Sequence, residues 1–76
     1  MPKSIFSAKY ARFRGMLVAA RKAAGMTQMD LAVRLGRTQS YVSKFERGER
    51  RLDIVEFLEV AEALGIDVLR LVEQLL

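Results

Sequence analysis

Between Thr27 and Gly48 the chain reads TQMDLAVRLGRTQSYVSKFERG, two short helical segments, each opened by a threonine and closed by a glycine. Thr27 precedes Gln28 and has Asp30 three residues on, a capping-box variant with Asp in place of Glu or Gln; Thr38 stands before the second segment and can cap Tyr41. Gly36 falls where the first segment must stop and turn, a place for a residue tolerant of positive φ, and Gly48 ends the second in the same way. Leu31, Ala32, Leu35, Val42 and Phe45 recur where the two helices must touch. Ala32 sits at the crossing, because a larger side chain there would push the axes apart. The pattern is that of a helix-turn-helix.

A chain of 76 residues makes one domain, near the size at which a single hydrophobic core just suffices. It has no cysteine and no histidine, which removes disulfides, thiolate metal ligands and imidazole bases, so no metal and no cofactor is expected. No paired-carboxylate or nucleophile–base arrangement suggests catalysis, and no catalytic residue is assigned. The longest apolar run, Met16 to Ala20, is far short of the roughly 20 residues of a membrane helix. Nor is there a secretory signal, so a cytoplasmic protein with no membrane partner is expected.

The net charge of +4 is unevenly divided. Residues 1–51 carry 12 of the 13 Lys and Arg against Asp30, Glu46 and Glu49, a net of +9; residues 52–76 carry Arg70 against six carboxylates, a net of −5. The front half is therefore suited to a polyanion and the back half to something else.

Along the chain, residues 1–7 read as an arm, with Ser7 placed to cap the first helix. Phe13, Met16, Leu17, Ala20 and Ala24 mark one buried stripe of that helix, from about Ala8 to Ala24, which Gly25 closes. Asp53 opens a helix to about Leu64, with Phe57, Val60, Ala61 and Leu64 inward and Gly65 at its end. Asp67 starts a last helix whose Val68, Leu69, Leu71, Val72, Leu75 and Leu76 exceed what one monomer would hide. The expected fold is all-α, a bundle of five short helices forming a single domain over residues 1–76, with the helix-turn-helix at 27–48.

A helix of this length fits the DNA major groove, where every base pair shows a distinct donor and acceptor pattern. With Val42 and Phe45 inward, helical spacing puts Gln39, Ser40, Ser43, Lys44 and Arg47 on the outer face of helix 39–47. Gln39 suits adenine, Lys44 suits guanine, and Ser40 and Ser43 are short and permissive base contacts. Arg47, at the far end, is expected on phosphate. Gln28 at its helix N-terminus can clamp a phosphate, with Thr27 beside it. Thr38 and Tyr41 are further phosphate candidates, although the Tyr41 ring also suits packing against Phe45.

The run TQMDLAVRLGRTQSYVSKFERGERRLD, with the preceding RKAAGM and the later VAEALGID, resembles the Cro and phage-repressor type of helix-turn-helix protein, the XRE family. The likeness extends from about Phe13 to Leu71. It implies a lambda-repressor-like bundle and a transcriptional regulator that binds double-stranded DNA as a two-fold dimer. It also implies base contacts at Gln39, Ser40 and Lys44, a phosphate clamp at Gln28, and a partly buried structural ion pair between Arg21 and Glu46. Arg37 departs from the pattern, standing where relatives often have a small aliphatic residue, and is suited to a phosphate instead.

One recognition helix reads too few base pairs to select a site, whereas two across a dyad about 34 Å apart read a pseudo-palindrome. Residues 66–76 are the expected dimerisation segment, through Ile66, Leu69, Val72 and Leu76. With no sensing module visible, control would come from the protein's own concentration and from operator arrangement. The competing reading is a protein–protein adaptor or antitoxin-like module on the same bundle, using the acidic half. RNA polymerase is a further candidate partner, through Glu46 and Glu49.

Overall fold

The computed structural model describes residues 7–76, so the arm expected at residues 1–7 lies outside it except for Ser7. Ser7 belongs to the first helix: its hydroxyl accepts the Tyr10 amide at 3.0 Å. Five helices make up the described chain, α1 (Ala8–Ala23), α2 (Gln28–Leu35), α3 (Gln39–Arg47), α4 (Ile54–Leu64) and α5 (Val68–Leu75). No strand occurs among the described residues.

Each start is written in the sequence. Thr27 and Asp30 form the full reciprocal capping box, as do Asp53 and Glu56 at α4; Thr38 and Asp67 cap α3 and α5 through their side-chain oxygens. The ends of α2 and α3 use Gly36 and Gly48 at φ +67° and +81°. This left-handed step lets the Arg37 amide reach back to the Ala32 carbonyl, and the Glu49 amide to the Lys44 carbonyl, both at 2.9 Å. The turn therefore satisfies the carbonyls that a helix end would otherwise leave bare.

The core is Leu17, Leu31, Ala32, Val42, Phe45, Phe57, Val60, Ala61 and Leu71. Ala32 has no exposed surface and lies in α2, which packs against α3 and α4. α1 packs against α3 and α5. It reaches α4 through an edge-to-face contact of Phe13 with Phe57, ring centroids 5.3 Å apart.

One expected core residue is misplaced by the sequence reading. Ala24 is exposed, because α1 ends at Ala23 and Ala24 is its C-cap. The inward stripe continues from Leu17 to Arg21, one turn on, and that charged residue is buried instead. In α5 the apolar surplus splits in two. Leu71 is buried with Val68 and Leu75 beside it, whereas Leu69, Val72 and Leu76 point outward. α4 also exposes Ile54, Val55 and Leu58, which sequence periodicity does not single out.

The loop between α3 and α4 is tied down by Arg50, whose two terminal nitrogens donate to the two Glu56 carboxylate oxygens at 3.1 and 2.8 Å. The same carboxylate accepts the Asp53 amide at 3.0 Å. The Arg50 hydrogen bonds, and then that backbone bond, hold the Glu56 carboxyl down at about 2, against an ordinary value of 4.5. A depressed carboxyl contributes stability that is present above its unfolded value and lost as pH falls through the folded one. Thermal unfolding of Glu56→Gln is therefore expected to depend less on pH than the parent between about pH 4.5 and 2. Identical slopes over that window would show that the clamp does not contribute.

Candidate nucleic-acid interface

A helix advances about 100° per residue, so α3 divides cleanly into two sides. Val42, Phe45 and Glu46 turn inward, with 0%, 1% and 9% of their surface exposed. Gln39, Ser40, Lys44 and Arg47 stand in solvent, with Ser43 half-buried between them. The four residues expected to read bases thus share one side of one element.

The far end of α3 is fixed by a polar knot centred on Glu46. Arg21 of α1 grips its carboxylate with a fork, Nε to Oε2 at 2.7 Å and Nη2 to Oε1 at 3.1 Å. Nη1 of Arg21 donates to the Met26 carbonyl at 2.9 Å, which also pins the α1–α2 connection. The Gln28 amide donates to Glu46 Oε1 at 2.9 Å, and Arg14 donates to the Glu46 backbone carbonyl at 3.0 Å. Residues from α1 and from the start of α2 therefore set where α3 ends. Gln28, expected as a phosphate clamp, has its amide nitrogen engaged inside this knot. Glu46 is buried among these donors, so of the two carboxylates considered for RNA polymerase only Glu49 is exposed. The burial of Glu46 follows from its position one residue after Phe45, at the edge of the inward side.

The opposite end of α3 carries Arg37, Thr38 and Tyr41. The Tyr41 ring meets the Phe45 edge at 5.6 Å. The guanidinium of Arg37 lies 4.6 Å from its centroid and that of Arg50 4.8 Å, so the ring holds two cations near it. Burial pushes the Tyr41 phenol up from its ordinary value, which keeps the hydroxyl a donor. Arg37 also stands 3.8 Å from Glu59, a pair open to solvent on both sides and worth little in stability. Thr27 and Thr38 are both exposed, their hydroxyls accepting cap bonds.

Arg47 is held beside the base-facing side rather than extended. Its Nε and Nη2 donate to the two Glu49 oxygens at 2.8 and 3.1 Å, and Nη1 donates to the Ser43 hydroxyl. Sequence reasoning does not single out Arg14, Arg50 or this Glu49 contact. Arg14 had a signal, since it lies seven residues before Arg21 and so on the same side of α1. Arg50 had none, because Glu56 is brought to it only by the turn between α3 and α4. Among the described residues, no group of three or more His, Cys, Asp and Glu is gathered that could hold a metal, and no helix is long and apolar enough to cross a membrane.

Two short helices crossing at a buried alanine, with the outward side of the second polar, exposed and flanked by cations, define a helix-turn-helix module. Comparison with known proteins names the family. Residues 17–71 match the helix-turn-helix model HTH_3, and the chain belongs to this family, the XRE family of DNA-binding transcription regulators. It is similar to the uncharacterized HTH-type transcriptional regulator y4dJ of Sinorhizobium fredii, with 38% identity over 52 residues, 68% of each chain. An XRE-family like protein from Pseudomonas syringae pv. tomato has a similar structure, with 47% identity, a TM-score of 0.87, and 95% of this chain and 88% of the other covered. A point mutant of the restriction–modification controller protein C.Esp1396I is also similar, at 28% identity and TM-score 0.81, with 91% and 92% covered.

Proposed function

We propose that the protein is a sequence-specific regulator that binds a pseudo-palindromic operator as a homodimer, with α3 of each copy in the major groove. The observation that carries this reading is the division of α3: Val42, Phe45 and Glu46 are locked inward while Gln39, Ser40 and Lys44 stand exposed as one polar side. Such a helix can enter a groove without unfolding anything, since its inner side is fixed before DNA arrives. Gln39, Ser40, Ser43 and Lys44 then face base edges. Thr27 and the start of α2, with Gln28, approach the backbone at one end of α3, and Arg37, Thr38 and Tyr41 approach it at the other. The similarity to a restriction–modification controller protein supports a regulatory role. Residues 66–76 supply the second half of the reading, because Leu69 and Leu76 are 77% and 93% exposed on one side of α5.

Selection of bound duplexes from a random pool, repeated over a salt series, tests the reading. It is expected to return two inverted half-sites and an affinity that falls steeply with salt. Lys44→Ala is expected to cost about 1–3 kcal/mol at its own base position, and Arg37→Ala to weaken all sequences about equally. A pool with no enriched sequence, or binding indifferent to salt, would reject it in favour of an adaptor.

A further inference from the structure

The Ser43–Arg47–Glu49 cluster has a geometry that a phosphate contact does not require. A phosphate-seeking arginine at a helix end gains from reach and mobility, whereas Arg47 is folded back along α3 and forked onto Glu49 by two hydrogen bonds. Its remaining terminal nitrogen donates to Ser43, one turn earlier on the same helix. The effect is to lay the guanidinium beside Ser43, on the outward side of α3, with its charge partly matched by a carboxylate.

As a stability device the pair is poor, since both side chains are more than half exposed, at 53% and 55%. Its value lies in orientation. With Nε and Nη2 held on Glu49 and one Nη1 hydrogen on Ser43, one N–H remains on each terminal nitrogen, enough for a planar acceptor pair such as guanine O6 and N7 in the major groove. The carboxylate also disfavours the alternative partner, because Glu49 beside a DNA phosphate is a like-charge contact. The hydrogen bonds and charge of Arg47 draw the Glu49 carboxyl below its ordinary value, which favours the ionised buttress.

Resting on the proposed DNA-binding role, we infer that Arg47 is a base-reading residue specific for guanine at the far edge of each half-site, and that Glu49 is the residue that positions it. Ser43, facing the same groove, also supports Arg47 from within the helix.

The test is selection from the same random pool with the parent protein, Arg47→Ala and Glu49→Gln. For Arg47→Ala one guanine per half-site is expected to lose its preference, by roughly 5- to 150-fold against the other bases, while the remaining positions keep theirs. For Glu49→Gln the same position is expected to relax while affinity for non-specific duplex rises, since a negative charge facing DNA has been removed. An Arg47→Ala protein that weakens all sequences uniformly and leaves the selected motif intact would make Arg47 a phosphate contact and overturn the inference. A Glu49→Gln protein that gains affinity with an unchanged motif would remove the positioning role. A parent protein that enriches no motif would instead reject the DNA-reading function beneath both.

Discussion

Glu46→Leu is expected to lower the stability of the domain by about 3–5 kcal/mol, as breaking one half of a buried ion pair does. Arg21 and Glu46 are each only 9% exposed, so solvent cannot replace the lost carboxylate. The substitution strands the Arg21 fork and also removes the acceptor of the Gln28 amide. For a domain of this size the total available is on the order of 4–11 kcal/mol at 0.05–0.15 kcal/mol per residue, so the loss is a large share of the whole and is expected to shift the unfolding midpoint strongly. Arg21→Met alone should cost a similar amount. The double variant should recover much of the loss, because an apolar pair of similar volume leaves no charge without a partner. Urea unfolding of the four proteins measures the coupling. Additive single effects would mean that the two charges act as if separately solvated.

Leu69→Glu is expected to turn a dimer into a monomer and to lower operator affinity by a thousand-fold or more, on the order of the gap between specific and non-specific binding. The reason is that each copy presents one recognition helix, and a single helix reads only a few base pairs. Leu69 is 77% exposed on the side of α5 opposite the buried Leu71, so the substitution leaves the monomer core untouched. Sedimentation equilibrium is expected to show the parent as a dimer at tens of micromolar and the variant as a monomer, with unchanged helix content by circular dichroism. A parent that stays monomeric at that concentration, or a monomeric variant that binds the selected operator as tightly, would reject the dimer.

Much of the fold is legible in the chain because its signals are local. Thr27, Thr38, Asp53 and Asp67 each act within three residues of themselves, and Gly36, Gly48 and Gly65 each within five, so the boundaries of α2 to α5 follow from neighbours along the chain. Ala32 at the crossing, and Val42 and Phe45 beneath α3, follow from helical period with one extra condition, that the two helices touch. The failures share a cause too. Periodicity places Ala24 in the core because it does not by itself end a helix one residue early. Glu49 reads as open to an external partner because a carboxylate near a binding helix looks free until its cation, here Arg47, is located.

The sequence by itself determined the five helices, their caps and turns, and the polar side of α3, since each is decided by interactions within one turn of the chain. Only the tertiary structure decided what surrounds that side: Gln28 tied to Glu46, Arg14 on the α3 terminus, two guanidiniums about Tyr41, and Arg47 folded onto Glu49. Several of these link residues far apart in the chain, and the rest depend on which rotamer a long side chain takes. Spacing alone specifies neither, because a flexible arginine or glutamine chooses its partner only after packing has brought the candidates within reach.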